Sequence, residues 1–227
     1  MLSDRKLYKS REALKERFFL NSYKPLCYFK QGREAIKTFG LPPFIDASCR
    51  REPDLQSQFP SISALCRIEK FVPYRRVGDS IIYMTVRDTY KPERTPHWRL
   101  TAILKVWHRF ESHKDAAAWY QAQGLPLPSN CLVAENDCLP YEMTGGASRD
   151  LMHIPETAER LRRWDSEYKR RMRQCGIFLA CRVEFLKLHN PPILTAEKLR
   201  AIFGKIPGTQ NPKKITEDQF IALHAVL

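Results

Sequence analysis

The stretch Trp98 to Phe110, WRLTAILKVWHRF, alternates in polarity, and no other feature of the chain restricts its fold so tightly. Leu100, Ala102, Leu104 and Val106 fall on one side of an extended strand, while Arg99, Thr101, Ile103, Lys105, Trp107 and Arg109 fall on the other. A strand this long needs a partner. Ser80 to Val86, SIIYMTV, supplies one: it is rich in β-branched and aromatic residues and follows a Val77-Gly78-Asp79 turn. The polar loop Arg87 to His97, with Pro92 and Pro96, closes the pair into a long hairpin.

Caps place helices around this hairpin. Ser112 starts a helix over His113 to Gln123, with Asp115 in its first turn and Gly124 just past its end. Thr195 starts one that ends near Gly204, with Glu197 near its positive end, and Thr216 starts a last one over Glu217 to Val226. Pro155 to Gln174 forms a charged helix on which Trp164 and Tyr168, four apart, make the core-facing stripe. Residues 3–20 are expected as an amphipathic helix with Leu7, Ala13, Leu14 and Phe18 toward one side. Phe44-Ile45 is expected to open a first strand that ends in the polar stretch Asp46 to Asp54. Ile62 to Ile68 fits a strand or a helical turn, and Ile177 to Leu188 fits a further core strand stopped by Asn190-Pro191-Pro192. Leu125 to Met152, broken by Pro126, Pro128, Pro140, Gly145 and Gly146, reads as an ordered surface loop. The expected class is α+β, with an N-terminal helical extension over 1–40, a core over 41–190, and a C-terminal helical segment over 191–227 packed on that core.

The charge balance narrows the partner. Lysine and arginine outnumber the acids 38 to 25, for a formal charge of +13, which concentrates polyanions at the surface and favours nucleic acid, DNA or RNA. A positive surface with no cognate anion is the plain alternative, and a membrane surface a weaker third. The seven cysteines are scattered without a CxxC pair or zinc-finger spacing, as reduced thiols are. Met1 to Arg17 is charged and lacks the apolar run of a signal peptide, and no apolar run of membrane-spanning length occurs, so a cytoplasmic or chromosomal location is expected. Serine-elbow, HExxH, GxGxxG and zinc-deaminase patterns are missing, and neither a metal nor a cofactor is expected.

Four segments carry candidate chemistry. In Asp46 to Asp54, Arg50 and Arg51 could neutralise a phosphate while Asp46 or Glu52 accepts from an exocyclic amine; a solvated loop with self-paired charges competes with this. Tyr83, Trp98, Arg99, Lys105, Trp107, His108 and Arg109 interleave rings with cations, where stacking one base gains about 1–3 kcal/mol. Burial of Trp107 beneath the 113–123 helix competes with a stacking role. The helix Arg160 to Arg173, including Arg163 and Arg170, could track phosphates or simply be solvated. Gly204 to Pro212 lacks the spacing of a phosphate loop, and Gln210 and Asn211 there either read a base edge or form a turn. Cys49 is best read as a buried structural thiol.

The order Gly78-Asp79-Ser80-Ile81-Ile82-Tyr83, then Leu100 to Val106, then Lys114 to Tyr120, resembles the PUA-like superfamily of ASCH, EVE and YTH modules. Asp46, Pro53, Cys66, Arg67 and Gly78-Asp79 are similar to the pattern of the nucleotide-modification-associated domain families, over roughly residues 41 to 188. The resemblance implies a pseudo-barrel of mixed strands with peripheral helices, and a pocket that accepts a single, often modified, base extruded from nucleic acid. Asp46, Arg50, Arg51 and Glu52 would frame that pocket, and Arg67, Tyr83 and Trp107 would line or support it. Lys105, Arg109, Arg163 and Arg170 complete the expected nucleic-acid contacts. Two other functions stay open: an enzyme on the same scaffold, with Asp46 or Glu52 as general base, and a basic scaffold for an acidic protein.

Overall fold

β4 (Trp98–Phe110) runs through the middle of the sheet with a neighbour on each side. The computed structural model describes residues 16–65, 67 and 70–227. β3 (Ser80–Thr85) and β5 (Phe178–Leu186) both lie antiparallel to β4, so the expected hairpin and the expected further core strand are present. β2 (Ser61–Ser63) extends the sheet beyond β5. On the opposite flank β1 (Phe18–Tyr23) lies parallel to β3, and β7 (Lys213–Ile215) pairs with it antiparallel as the edge. The strand order is β2-β5-β4-β3-β1-β7, with the two-residue β6 (Ile193–Leu194) against the start of β4.

Two expectations fail here. The helix over 3–20 does not reach 18–20, which are strand; its earlier part, 3–15, lies outside the described residues. All six residues of β1 are buried, with Phe19 and Tyr23 in the cluster on one face of the sheet and Phe18 and Leu20 in the cluster on the other. Residues 18–23 and 213–215 are thus part of the same central sheet as β3 and β4. Phe44-Ile45 opens no strand either: Asp46 makes a single bridge to Pro25, and Leu26 N donates to Ile45 O at 2.8 Å.

The alternation along β4 is interrupted. Tyr83 faces Ala102 while the next residue, Met84, faces Leu100, so Thr101 is an extra residue and Leu100 turns to the face of Ile103. Ala102, Leu104 and Val106 stay on the other face with Ile81, Tyr83 and Leu179.

Among the described residues five α-helices surround the sheet. α1 (Lys30–Phe39) ends at Gly40, whose φ of 64° is the left-handed conformation of a helix C-terminus. In α2 (His113–Ala122) the Ser112 side chain accepts from Asp115 N, and Ala116 and Tyr120 pack on Phe178 and Ala180 of β5. α3 (Thr157–Gln174) presents Tyr168 and Trp164 to Cys49, Leu65 and Leu132, the inward stripe expected of it. α4 (Ala196–Phe203) and α5 (Glu217–His224) start at Thr195 and Thr216, and Leu199, Phe203 and Leu223 cover the Ile103 face. Among the described residues no helix is long and apolar enough to cross a membrane. The α+β class, with one curled mixed sheet and helices at its periphery, is the one expected.

Candidate functional site

On the Tyr83 face, where β1 and β3 end, the sheet borders a cavity of about 640 Å³. Its inner surface is formed by Asn21, Tyr23, Ile62, Phe71 and Tyr83, and exposed Lys24, Arg87 and Gln210 stand at its mouth. Asp46 and Glu52 both line it, each less than a tenth exposed.

These two carboxyls differ in their support. Glu52 Oε1 accepts from Ser63 N at 2.8 Å, and its Oε2 takes the Ser63 hydroxyl at 2.6 Å and Asn130 Nδ2 at 3.1 Å. Burial nonetheless outweighs these donors and lifts Glu52 to about 8. Asp46 Oδ1 accepts from Ser48 N at 2.9 Å and from the Ser48 hydroxyl, and burial raises this carboxyl too. Beside them the Tyr83 hydroxyl receives Asn21 Nδ2 at a long 3.4 Å. The arrangement places carboxyl oxygens and the Tyr83 hydroxyl among aromatic side chains.

The segment that carries both carboxyls is buttressed by the loop expected over Leu125 to Met152. Asp54 exchanges backbone hydrogen bonds with Ser61, and its Oδ2 takes the Ser129 amide and hydroxyl, both at 2.7 Å. Gly145 N donates to Ala47 O at 2.8 Å, and a Cβ at Gly145 would come within 2.8 Å of Ala47 Cβ, a close approach that glycine permits. Arg50 and Arg51 belong to this buttress. Arg50 is 1% exposed, its Nε 2.7 Å from Asp165 Oδ1 and its Nη1 on the Ser129 and Asn136 carbonyls; Arg51 is 2% exposed and donates to the Asp46 and Met143 carbonyls. The phosphate clasp expected of them is therefore corrected: buried and surrounded by protein acceptors, they hold the loop in place.

Arg67 lines the cavity at a φ of 63°, a left-handed conformation uncommon for a residue with a side chain. Its guanidinium donates to Ser22 O at 2.9 Å, to Thr209 O at 3.2 Å and to Gln210 O. That clamp draws the 204–212 turn against β1, so Thr209 and Gln210 become cavity wall. Asn21, Lys24 and Tyr28, also at the cavity, were not among the residues expected from sequence, because they lie on and after the second half of a strand whose first half was read as helix and whose remainder was given no element.

Lys105, Trp107 and Arg109 do not line this cavity, which corrects the place beside it expected of Trp107. Lys105 pairs with Glu16 at 2.6 Å, Arg109 pairs with Glu111, and Trp107 is 38% exposed with the Arg182 guanidinium 3.1 Å from its ring centre. Trp107 is not buried beneath α2 either; Trp119 of that helix meets His108 and Phe110 instead. A second hollow of about 760 Å³ adjoins the cavity through Lys24 and Asp46 and follows α3 past Arg163 and Arg171. Arg170 lies outside both hollows and pairs with Glu167 at 2.6 Å.

No family model and no curated protein matches the chain. Two solved structures align with it, the ASCH protein of Zymomonas mobilis and a point mutant of that protein. Both matches are ASCH proteins. Each alignment covers 92% of this chain and 94% of the other, at 8% identity and a TM-score of 0.35. ASCH is also a name the sequence resemblance reached.

Proposed function

We propose that the chain binds nucleic acid and takes a single base, flipped or unpaired, into the cavity beside Asp46 and Glu52. The observation that carries this is the pairing of two buried carboxyls with aromatic walls in one cavity of about 640 Å³, within the span of about 300–1,000 Å³ usual for small-ligand sites. A carboxyl oxygen accepts from an exocyclic amine whether or not the group is ionised, so a base bearing an amino group suits the site better than one without. Lys24 and Arg87 at the mouth, and the hollow along Arg163 and Arg171, suit the phosphates on either side, and the charge of +13 draws the polyanion in. A modified base is accommodated if its substituent packs against Ile62 and Phe71 of the cavity wall.

The test is binding to matched DNA and RNA oligonucleotides, single- and double-stranded, with and without base modification, across a salt series. A base-dependent gain that survives high salt supports the cavity reading. Equal affinity for all of them, vanishing with salt, rejects it.

One observation favours the enzyme reading as a second. Two carboxyls whose proton affinities are both raised by burial share the cavity, an arrangement suited to proton transfer at a bound base. Product analysis in the same titrations separates the two, since base release, deamination or strand scission appears only if chemistry occurs.

A further inference from the structure

A different pocket, of about 530 Å³, lies where the Lys91 to Glu93 turn, the start of β4, the segment before β6 and α4 meet. Its wall holds Lys91, Arg99, Lys187 and Lys198 against one carboxylate, Glu93, and none of these lines the base cavity.

Arg99 is the residue that sets this pocket apart from a patch of surface lysines. It is only 3% exposed. Its Nε donates to His97 Nε2 at 2.9 Å, and Nη1 donates to Asn190 Oδ1 at 3.2 Å and Pro191 O at 2.9 Å. His97 Nδ1 lies 2.8 Å from Thr95 O, so the ring keeps its proton there and presents Nε2 as a neutral acceptor. Every acceptor on this guanidinium is thus uncharged. Among the described residues no carboxylate forms an ion pair with it, and Nη2 has no hydrogen-bond partner. A buried cation hydrogen-bonded only to neutral groups is costly, and desolvation, offset in part by the nearby Glu93 charge, holds its proton affinity below that of ordinary arginine. Holding such a charge in place is useful where an anion arrives to meet it.

We propose that this pocket binds a phosphate group, with Arg99 Nη2 and the ammonium groups of Lys91, Lys187 and Lys198 as its donors. A guanidinium offers directed hydrogen bonds to phosphate oxygens, and lysines add charge without demanding a fixed angle. Glu93 faces the same space and repels anions that are not drawn to the cations more strongly. The site stands independently of the base cavity.

Titration calorimetry of the full chain with inorganic phosphate tests it. Saturable binding that weakens at least tenfold in the double variant Lys187→Ala/Lys198→Ala supports the site; both lysines are exposed, so their removal spares the core. Asp46→Asn, at a residue that lines the base cavity and the hollow beside it but not this pocket, leaves phosphate binding unchanged even if the cavity reading is wrong. Competition in that Asp46→Asn background then finds the source of the phosphate. A 5′-phosphorylated trinucleotide that displaces it where the 5′-hydroxyl form does not assigns a chain end. Displacement by both forms assigns backbone phosphodiesters, and displacement by neither assigns a free phosphate. Absence of saturable binding, or equal affinity in the double-lysine variant, overturns the proposal.

Discussion

Arg50 Nε lies 2.7 Å from Asp165 Oδ1, tying the segment that carries both cavity carboxyls to α3 across 115 positions of chain. The remaining Asp165 oxygen meets Lys169 at 2.7 Å, so the buried guanidinium and an exposed ammonium share one carboxylate.

Removing that carboxylate leaves Arg50 charged and buried, a loss that typically costs about 3–5 kcal/mol. Asp165→Ala is expected to shift the urea midpoint by a corresponding amount, whereas Lys169→Ala, which loses an exposed partner, stays within about 1 kcal/mol of wild type. Similar midpoints for Asp165→Ala and wild type would show that Arg50 does not depend on this pair.

Glu52 makes stability depend on pH. Burial lifts its carboxyl to about 8, while the unfolded chain releases that proton near the ordinary value of about 4.3. The stability tied to this group is fully present below the unfolded value and is lost as pH rises through about 8. Glu52→Gln stays neutral throughout, so its melting temperature is expected to exceed that of wild type above about pH 8 and to approach it near about pH 5. Parallel melting curves across that range would show Glu52 to be ionised in the fold.

Binding should divide by face of the sheet. Asp46→Asn is expected to remove the base-dependent part of oligonucleotide affinity, about 1–3 kcal/mol if Asp46 reads a base edge. Lys24→Ala should weaken all sequences alike and reduce the salt slope. Lys105→Ala and Trp107→Ala, outside the cavity, should leave the base dependence intact. A base-dependent loss in Trp107→Ala as large as that in Asp46→Asn would move the interface to the other face.

Cys138 should be the most reactive of the six described cysteines. The Cys49 thiol packed beside it lowers it to about 7, while burial and the same partner push Cys49 up. Since the thiolate is the nucleophile, iodoacetamide should label Cys138 first, with a rate midpoint near pH 7. Cys49→Ala is expected to raise that midpoint toward about 8.5, read by peptide mapping. An unchanged midpoint in the variant would remove Cys49 as the cause.

Where the chain signals local structure, it is legible. Ser112, Thr195 and Thr216 mark helix starts because each side chain accepts from a backbone amide three residues on, a contact contained within one turn. α1 escapes because Phe29, at its cap position, makes no such contact. β1 escapes for another reason: FFLNSY is buried on both faces, so no period of two survives to be read. Its loss hid Asn21, Lys24 and Tyr28 from the candidate site, while Asp46 and Glu52 stood out in a dense polar run and Arg67 and Tyr83 came with the resemblance. The roles of Arg50 and Arg51 turn on carbonyls at Ser129, Asn136 and Met143, and nothing near an arginine in sequence tells whether distant acceptors will fold over it.

The pairing of β1 with β7 sets an order of synthesis against an order of assembly. Phe18–Leu20 leave the ribosome nearly the whole chain ahead of Lys213–Ile215, their antiparallel neighbours. Until residues 213–215 clear the exit tunnel, one margin of β1 holds backbone donors and acceptors with nothing to meet, the kind of open margin that recruits strands from other chains. Premature termination upstream of Lys213, or proteolytic clipping there, leaves that margin open for good, and such products are expected to join one another edge to edge.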